Sequence, residues 1–97
     1  MEASLRDMLK HGRKFERMST DQPGVFIRKI PPSVEEPAFL ALEINPLDEN
    51  NLPMSRFGII IRSKEQLDAV RAIITSECVD EILGEIESVS NLEINDD

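Results

Sequence analysis

Apolar and polar positions alternate with two different periods along this chain, and the switch between them divides it into five segments. In residues 3–18, Leu5, Met8, Leu9 and Phe15 fall near one helical face, with Gly12 on the same stripe. Ser4 can cap the start and Asp7 sits in the first turn, which predicts an N-terminal helix. Gly12 costs about 1 kcal/mol against Ala inside a helix and is the point where that helix would break. Residues 19–24 read as a connector closed by Pro23-Gly24.

Three strand-like segments follow. Residues 25–30 (Val-Phe-Ile-Arg-Lys-Ile) are rich in β-branched and aromatic residues and end at Pro31-Pro32, neither of which can donate to a ladder. After a stiff polar loop over 31–37, residues 39–44 place Leu40, Leu42 and Ile44 on one face and Phe39, Ala41 and Glu43 on the other. Asn45-Pro46 stops this strand. A second loop over 45–55 contains Asp48-Glu49-Asn50-Asn51 and leads to residues 56–62, where Phe57, Ile59 and Ile61 alternate with Arg56, Gly58, Ile60 and Arg62. The second and third of these segments are expected to pair antiparallel.

The period then returns to that of a helix. Ser63-Lys64-Glu65-Gln66 is a capping box, followed by Leu67, Val70, Ile73 and Ile74 at helical spacing. The stripe resumes at Cys78, Val79, Ile82, Leu83 and Ile86, with a break expected at Thr75-Ser76. From Ser88 the sequence turns polar. The order helix, three strands, helix, helix predicts an α+β domain over residues 1–90. Its small, mainly antiparallel sheet would be packed on one face by the N-terminal helix and one or two C-terminal helices. A frayed acidic tail would follow over 91–97.

Length and charge narrow the picture. Ninety-seven residues fit one domain, and the hydrophobic share of 40% argues against wholesale disorder. The core must be largely aliphatic, since the aromatics are four phenylalanines without Trp or Tyr. The net charge of -8 is unevenly spread. Residues 1–30 hold seven Lys/Arg against four Asp/Glu, and residues 31–97 hold four against fifteen. The overall field disfavours generic nucleic-acid binding, although a local basic surface could overcome it. One cysteine, Cys78, is expected to be a buried small hydrophobe in a reducing compartment. No signal-peptide pattern is visible at Met1–Asp7 and no apolar run approaches about 18 residues, so a cytoplasmic protein with no membrane span is expected.

Candidate chemistry is sparse. Asp48 and Asn50 suit a calcium loop, but Leu52 and Pro53 occupy the next ligand and glycine places, which leaves at most a weak calcium site at 48–51. His11, the single histidine, lies among Lys10, Gly12, Arg13 and Lys14 and has no neighbouring ligand for zinc. Isolated Gly58 and Gly84 make no phosphate loop. Asp80, Glu81, Glu85 and Glu87 read as the wet face of a helix. No catalytic residue, metal or cofactor is implied, and the expectation is a protein that is not an enzyme.

Two basic groupings remain. On a continuous helix Lys10, Arg13, Lys14 and Arg17 follow i, i+3, i+4, i+7 and share a face that could bind an anionic partner or dock on the acidic C-terminal half. Phe26, Arg28, Arg56 and Arg62 would make a basic, aromatic sheet face if their side chains shared it, the recipe for single-stranded nucleic acid. Strands followed by the capped helix at Arg56–Ile74 loosely resemble the end of the single-stranded-DNA-binding domain of transcriptional coactivators. That resemblance covers about a third of the chain and rests on element order. This chain departs from that family in lacking a lysine-rich, aromatic sheet, and no site residue is carried over. The leading expectation is therefore a small binding or adaptor domain that recognises another protein. Single-stranded nucleic acid is the alternative, and surplus apolar stripe on the last segment would favour a homodimer.

Overall fold

The computed structural model describes the backbone of residues 1–95 and the side chains of residues 1–91. The fold is α+β, with three helices and a four-stranded antiparallel sheet in the order β1-β2-β3-β4. The elements are α1 (Glu2–His11), β1 (Arg17–Ser19), β2 (Val25–Ile30), β3 (Phe39–Ile44), β4 (Ile59–Ile61), α2 (Lys64–Ile74) and α3 (Glu77–Asn95). They form two compact units, Met1–Ser63 and Lys64–Asp97.

Within the first unit, β2 and β3 occupy the residues their composition predicts, and full pairing runs from Val25 opposite Ile44 to Ile30 opposite Phe39. The third expected strand is shorter than its sequence pattern. Residues 56–58 belong to the loop, and only Ile59–Ile61 pair with β3.

The larger departure lies at the N-terminus, where the expected helix over 3–18 stops at His11. The Gly12 N–H still donates to the Met8 carbonyl at 2.8 Å, but Gly12 itself is extended. A tight turn follows, with Phe15 in the left-handed region at φ 60°. The Phe15 N–H then donates to the Lys29 carbonyl, and the Lys29 N–H donates to the Glu16 carbonyl. Residues 17–19 continue as an additional edge strand, with Arg17 opposite Arg28. Pairing with β2 supplies ladder bonds and a carboxylate partner for Arg17 that a continuing helix would not, so tertiary context overrides the weak helical pattern beyond Gly12.

Directly opposed residues of an antiparallel pair point to the same side. One face of the sheet therefore carries Arg17, Phe26, Arg28, Ala41, Glu43 and Ile60. The other carries Met18, Ile27, Lys29, Leu40, Leu42 and Ile61. α1 packs against β3 with Met8 buried, and the Lys29 ammonium donates to the Gly12 carbonyl at 2.8 Å. The buried apolar side chains are Met8, Phe26, Ala41 and Ile61, yet the two most completely buried larger side chains are Glu43 and Asn45. The first face is thus an interior built around charge.

In the second unit, α2 and α3 are joined through Thr75 and Ser76, where the sequence predicts a break. The Thr75 hydroxyl donates back to the Arg71 carbonyl at 2.8 Å, and the Ser76 hydroxyl accepts from the Cys78 N–H at 3.2 Å, opening α3. Among the described residues the two helices are not packed along each other. α3 continues to Asn95, so most of the stretch expected to fray is helical; Asp96 and Asp97 lie outside the described residues. Among the described residues no helix is long and apolar enough to cross a membrane.

Candidate functional site

Glu43 is the centre of the first unit. Its side chain is 0% exposed, beside Arg28 at 9% and Arg17 at 26%. Arg17 approaches as a fork, Nε to Oε1 at 2.9 Å and Nη2 to Oε2 at 3.0 Å. Arg28 Nε donates to Oε1 at 2.9 Å, while Asn45 Nδ2 and the Gly58 N–H donate to Oε2 at 3.1 and 2.8 Å. Burial on its own pushes this carboxyl up. The two guanidiniums, the Gly58 N–H and the Asn45 amide outweigh it and bring the carboxyl from 4.5 to about 2. Among the described residues no buried side-chain nitrogen or oxygen lacks a partner.

The same network holds the loop after β3 over the sheet. Arg17 Nη2 and Arg28 Nη2 both donate to the Arg56 carbonyl, at 3.0 and 2.9 Å. Arg28 Nη1 donates to the Phe15 carbonyl at 2.6 Å. Asn45 exchanges hydrogen bonds with the Ser55 backbone. Gly58 allows the closest approach, because a Cβ there would collide with the Ile44 carbonyl. The result is a shallow hollow lined by Phe15, Arg17, Arg28, Met54, Arg56 and Phe57, among others, with no acidic residue in its lining. The Phe15 and Phe57 rings meet edge to face at 6.0 Å between centroids. The Arg28 guanidinium lies 4.8 Å from the Phe57 centroid and that of Arg56 lies 6.0 Å from it.

The basic groupings read from the sequence are rearranged. Lys10, Arg13, Lys14 and Arg17 do not share a helix face, because the helix ends at His11 and the chain reverses into β1. Lys10 and Lys14 are exposed; Arg13 binds Glu16 at 3.5 Å and Arg17 binds Glu43. The four residues offered for nucleic acid are not gathered on one open sheet face either. Phe26 and Arg28 share a face, but both are buried, and the Arg17 guanidinium lies 4.9 Å from the Phe26 centroid. Arg56 is in the loop. Arg62 follows β4, stacks 3.6 Å from the Phe39 centroid and pairs with Glu36 at 2.9 Å.

Other candidates are equally plain. Asp48 Oδ1 accepts from the Asn50 and Leu52 N–H groups at 2.8 and 3.0 Å, so this carboxylate shapes its own loop. Among the described residues no group of three or more His, Cys, Asp or Glu side chains could hold a metal ion. His11 is exposed at the end of α1. Cys78, expected to be buried, is exposed in the first turn of α3, since the stripe it continues is itself uncovered.

Sequence reasoning missed Glu43, Asn45 and the Phe15–Phe57 pair. The available signal was a charged residue on an otherwise apolar strand face, Phe39, Ala41 and Glu43, in a chain with arginines in two neighbouring segments. The last surface is on the second unit, where Ile73, Ile74, Ile82, Leu83, Ile86 and Val89 are each more than half exposed.

No known protein family, curated protein or solved structure matches this chain. Two surfaces therefore carry the functional reading: the cationic and aromatic hollow of the first unit and the apolar stripe of the second.

Proposed function

We propose that this protein is a non-enzymatic binding domain that recognises another protein through the apolar stripe of α2 and α3. One observation carries the reading: six large aliphatic side chains on these helices, Ile73, Ile74, Ile82, Leu83, Ile86 and Val89, are more than half exposed. Contiguous apolar patches beyond a few hundred Å² are rare on soluble monomers and mark interaction surfaces. At about 100° per residue, Glu81 and Glu85 border one side of the α3 stripe, and Asp80 and Glu87 border the other. α3 contains no Lys or Arg. The partner that fits is a helical segment with its own apolar ridge and Lys or Arg along the flanks. A second copy of this chain would set carboxylates against carboxylates, so a homodimer is the less favoured occupant. The lone exposed Cys78 suits a reducing compartment, and we assign the protein to the cytoplasm.

The test uses a synthetic amphipathic helical peptide with a leucine ridge, made in Lys-flanked and Glu-flanked versions. The Lys-flanked peptide is expected to bind the full chain and the Glu-flanked one is not. Ile82→Ser with Ile86→Ser keeps every charge and is expected to lower affinity at least tenfold. Equal binding by that variant would reduce the attraction to charge alone and end the proposal. A stable dimer by light scattering, with the stripe already covered, would replace the partner by a second copy.

A further inference from the structure

The hollow of the first unit is a separate surface with a chemistry of its own. We propose that it binds single-stranded nucleic acid, with bases stacked on Phe15 and Phe57 and phosphates held by Arg56 and Lys14.

The first support is electrostatic. Glu43 is one carboxylate shared by two guanidiniums, Arg17 and Arg28, so the wall of the hollow keeps an uncompensated positive charge. Arg56 adds another. Among the described residues its side chain makes no hydrogen bond or ion pair, and its only partner is the Phe57 ring. Lys14, next to Phe15 in the chain, is exposed and likewise has no ionic partner among the described residues. With no carboxylate in the lining, the site is complementary to an anion although the chain as a whole carries -8.

The second support is aromatic. Phe15 and Phe57 are 46% and 50% exposed, while Phe26, on the same face of the sheet as Arg28, is buried. Phe15 holds φ 60°, a left-handed conformation that costs a non-glycine residue about 1–2 kcal/mol. Its carbonyl is clamped there by Arg28. A strained backbone position and a half-exposed aromatic ring thus coincide at Phe15.

These features select among anions. An isolated phosphate or an acidic peptide would be satisfied by the cations and would leave both rings unused. A single strand carries flat bases and phosphates in alternation, matching two half-exposed rings with Arg56 in the same lining and Lys14 next to Phe15 in the chain. A duplex hides its base faces and would meet the cations alone. DNA and RNA share this chemistry, and both enter the test.

Labelled oligo(dT) and oligo(rU) are titrated with the full chain at about 50 mM salt by fluorescence anisotropy. Binding in the micromolar range that weakens as salt rises is expected. Phe57→Ala should weaken it about tenfold, the scale of losing one stacked base. Arg56→Ala with Lys14→Ala should weaken it and lower the salt dependence by one to two phosphates, with the melting temperature unchanged because neither side chain is ion-paired. Should Phe57→Ala unfold, the Arg56/Lys14 variant still decides. No binding, equal affinity for duplex, unchanged affinity in the folded variants, or equal displacement by poly-glutamate would each overturn the proposal, the last by making the ligand an acidic peptide.

Discussion

The two units of this chain distribute polar and apolar groups in opposite ways. The first contains nine Lys/Arg and nine Asp/Glu, and it buries some of them: Glu43 is fully enclosed and Arg28 and Lys29 are nearly so. The second contains two Lys/Arg and ten Asp/Glu and no buried residue in α2, while Ile73, Ile74, Ile82 and Ile86 stand in water. Burying charge is costly unless every donor and acceptor is matched, which the Glu43 network achieves with five hydrogen bonds from four groups. Leaving an aliphatic stripe exposed forgoes about 25 cal/mol for each Å² that could be covered. The contrast is in what each unit buries. In the first, polar groups specify a structure. In the second, large apolar groups remain exposed.

The largest effect is expected at Glu43. Glu43→Ala would leave Arg28 buried without its carboxylate, a loss of about 3–5 kcal/mol. For a chain of this size that lowers Tm by more than about 10 °C. A melting curve close to the wild type would mean that Glu43 is dispensable and that the first unit does not depend on its charged interior.

A second prediction follows from proton linkage. The Glu43 carboxyl lies at about 2 in the folded chain against 4.5 ordinarily. A lowered pKa contributes stability that is fully present above the unfolded value and is lost as pH falls from 4.5 through about 2. The contribution is on the order of 3 kcal/mol. Urea midpoints between pH 6 and 2.5 should fall more steeply for the wild type than for Glu43→Gln. Parallel slopes would remove the carboxylate from the account of acid sensitivity.

Arg28 comes next. Its guanidinium serves Glu43, the Phe15 carbonyl and the Arg56 carbonyl at once, a geometry one ammonium cannot reproduce. Arg28→Lys is expected to cost about 1–3 kcal/mol, read from the denaturant midpoint. An unchanged midpoint would show that the loop over the sheet is held by Asn45 and Gly58 without it.

What was legible in the sequence follows the same division. β2 and β3 were readable because prolines and β-branched residues bound them locally, and the break at Thr75-Ser76 because both side chains act on nearby backbone. The turn at Phe15 was not. It depends on bonds to Lys29 and Arg28, and nothing in Arg13-Lys14-Phe15-Glu16 signals a left-handed phenylalanine. The Glu43 network was illegible for a similar reason, since it joins residues 17, 28, 43, 45 and 58 through pairing register. The expected basic helix face failed at the same place, because Arg17 belongs to that network and not to α1.

The smallest effect is expected on the stripe, and it tests the second half of the contrast. Ile82 and Ile86 are 56% and 54% exposed, so replacing both by serine removes little buried surface. Serine and isoleucine have similar helix propensities, which leaves the helix itself nearly unaffected. Substitutions of this kind usually stay within about ±0.5 kcal/mol each. Ile82→Ser with Ile86→Ser should therefore shift the thermal midpoint by only a few degrees, far less than Glu43→Ala, and leave the helical circular dichroism intact. A loss of several kcal/mol would mean that these side chains are covered in solution. The second unit would then resemble the first in relying on its interior, and the stripe would cease to be a free surface for a partner.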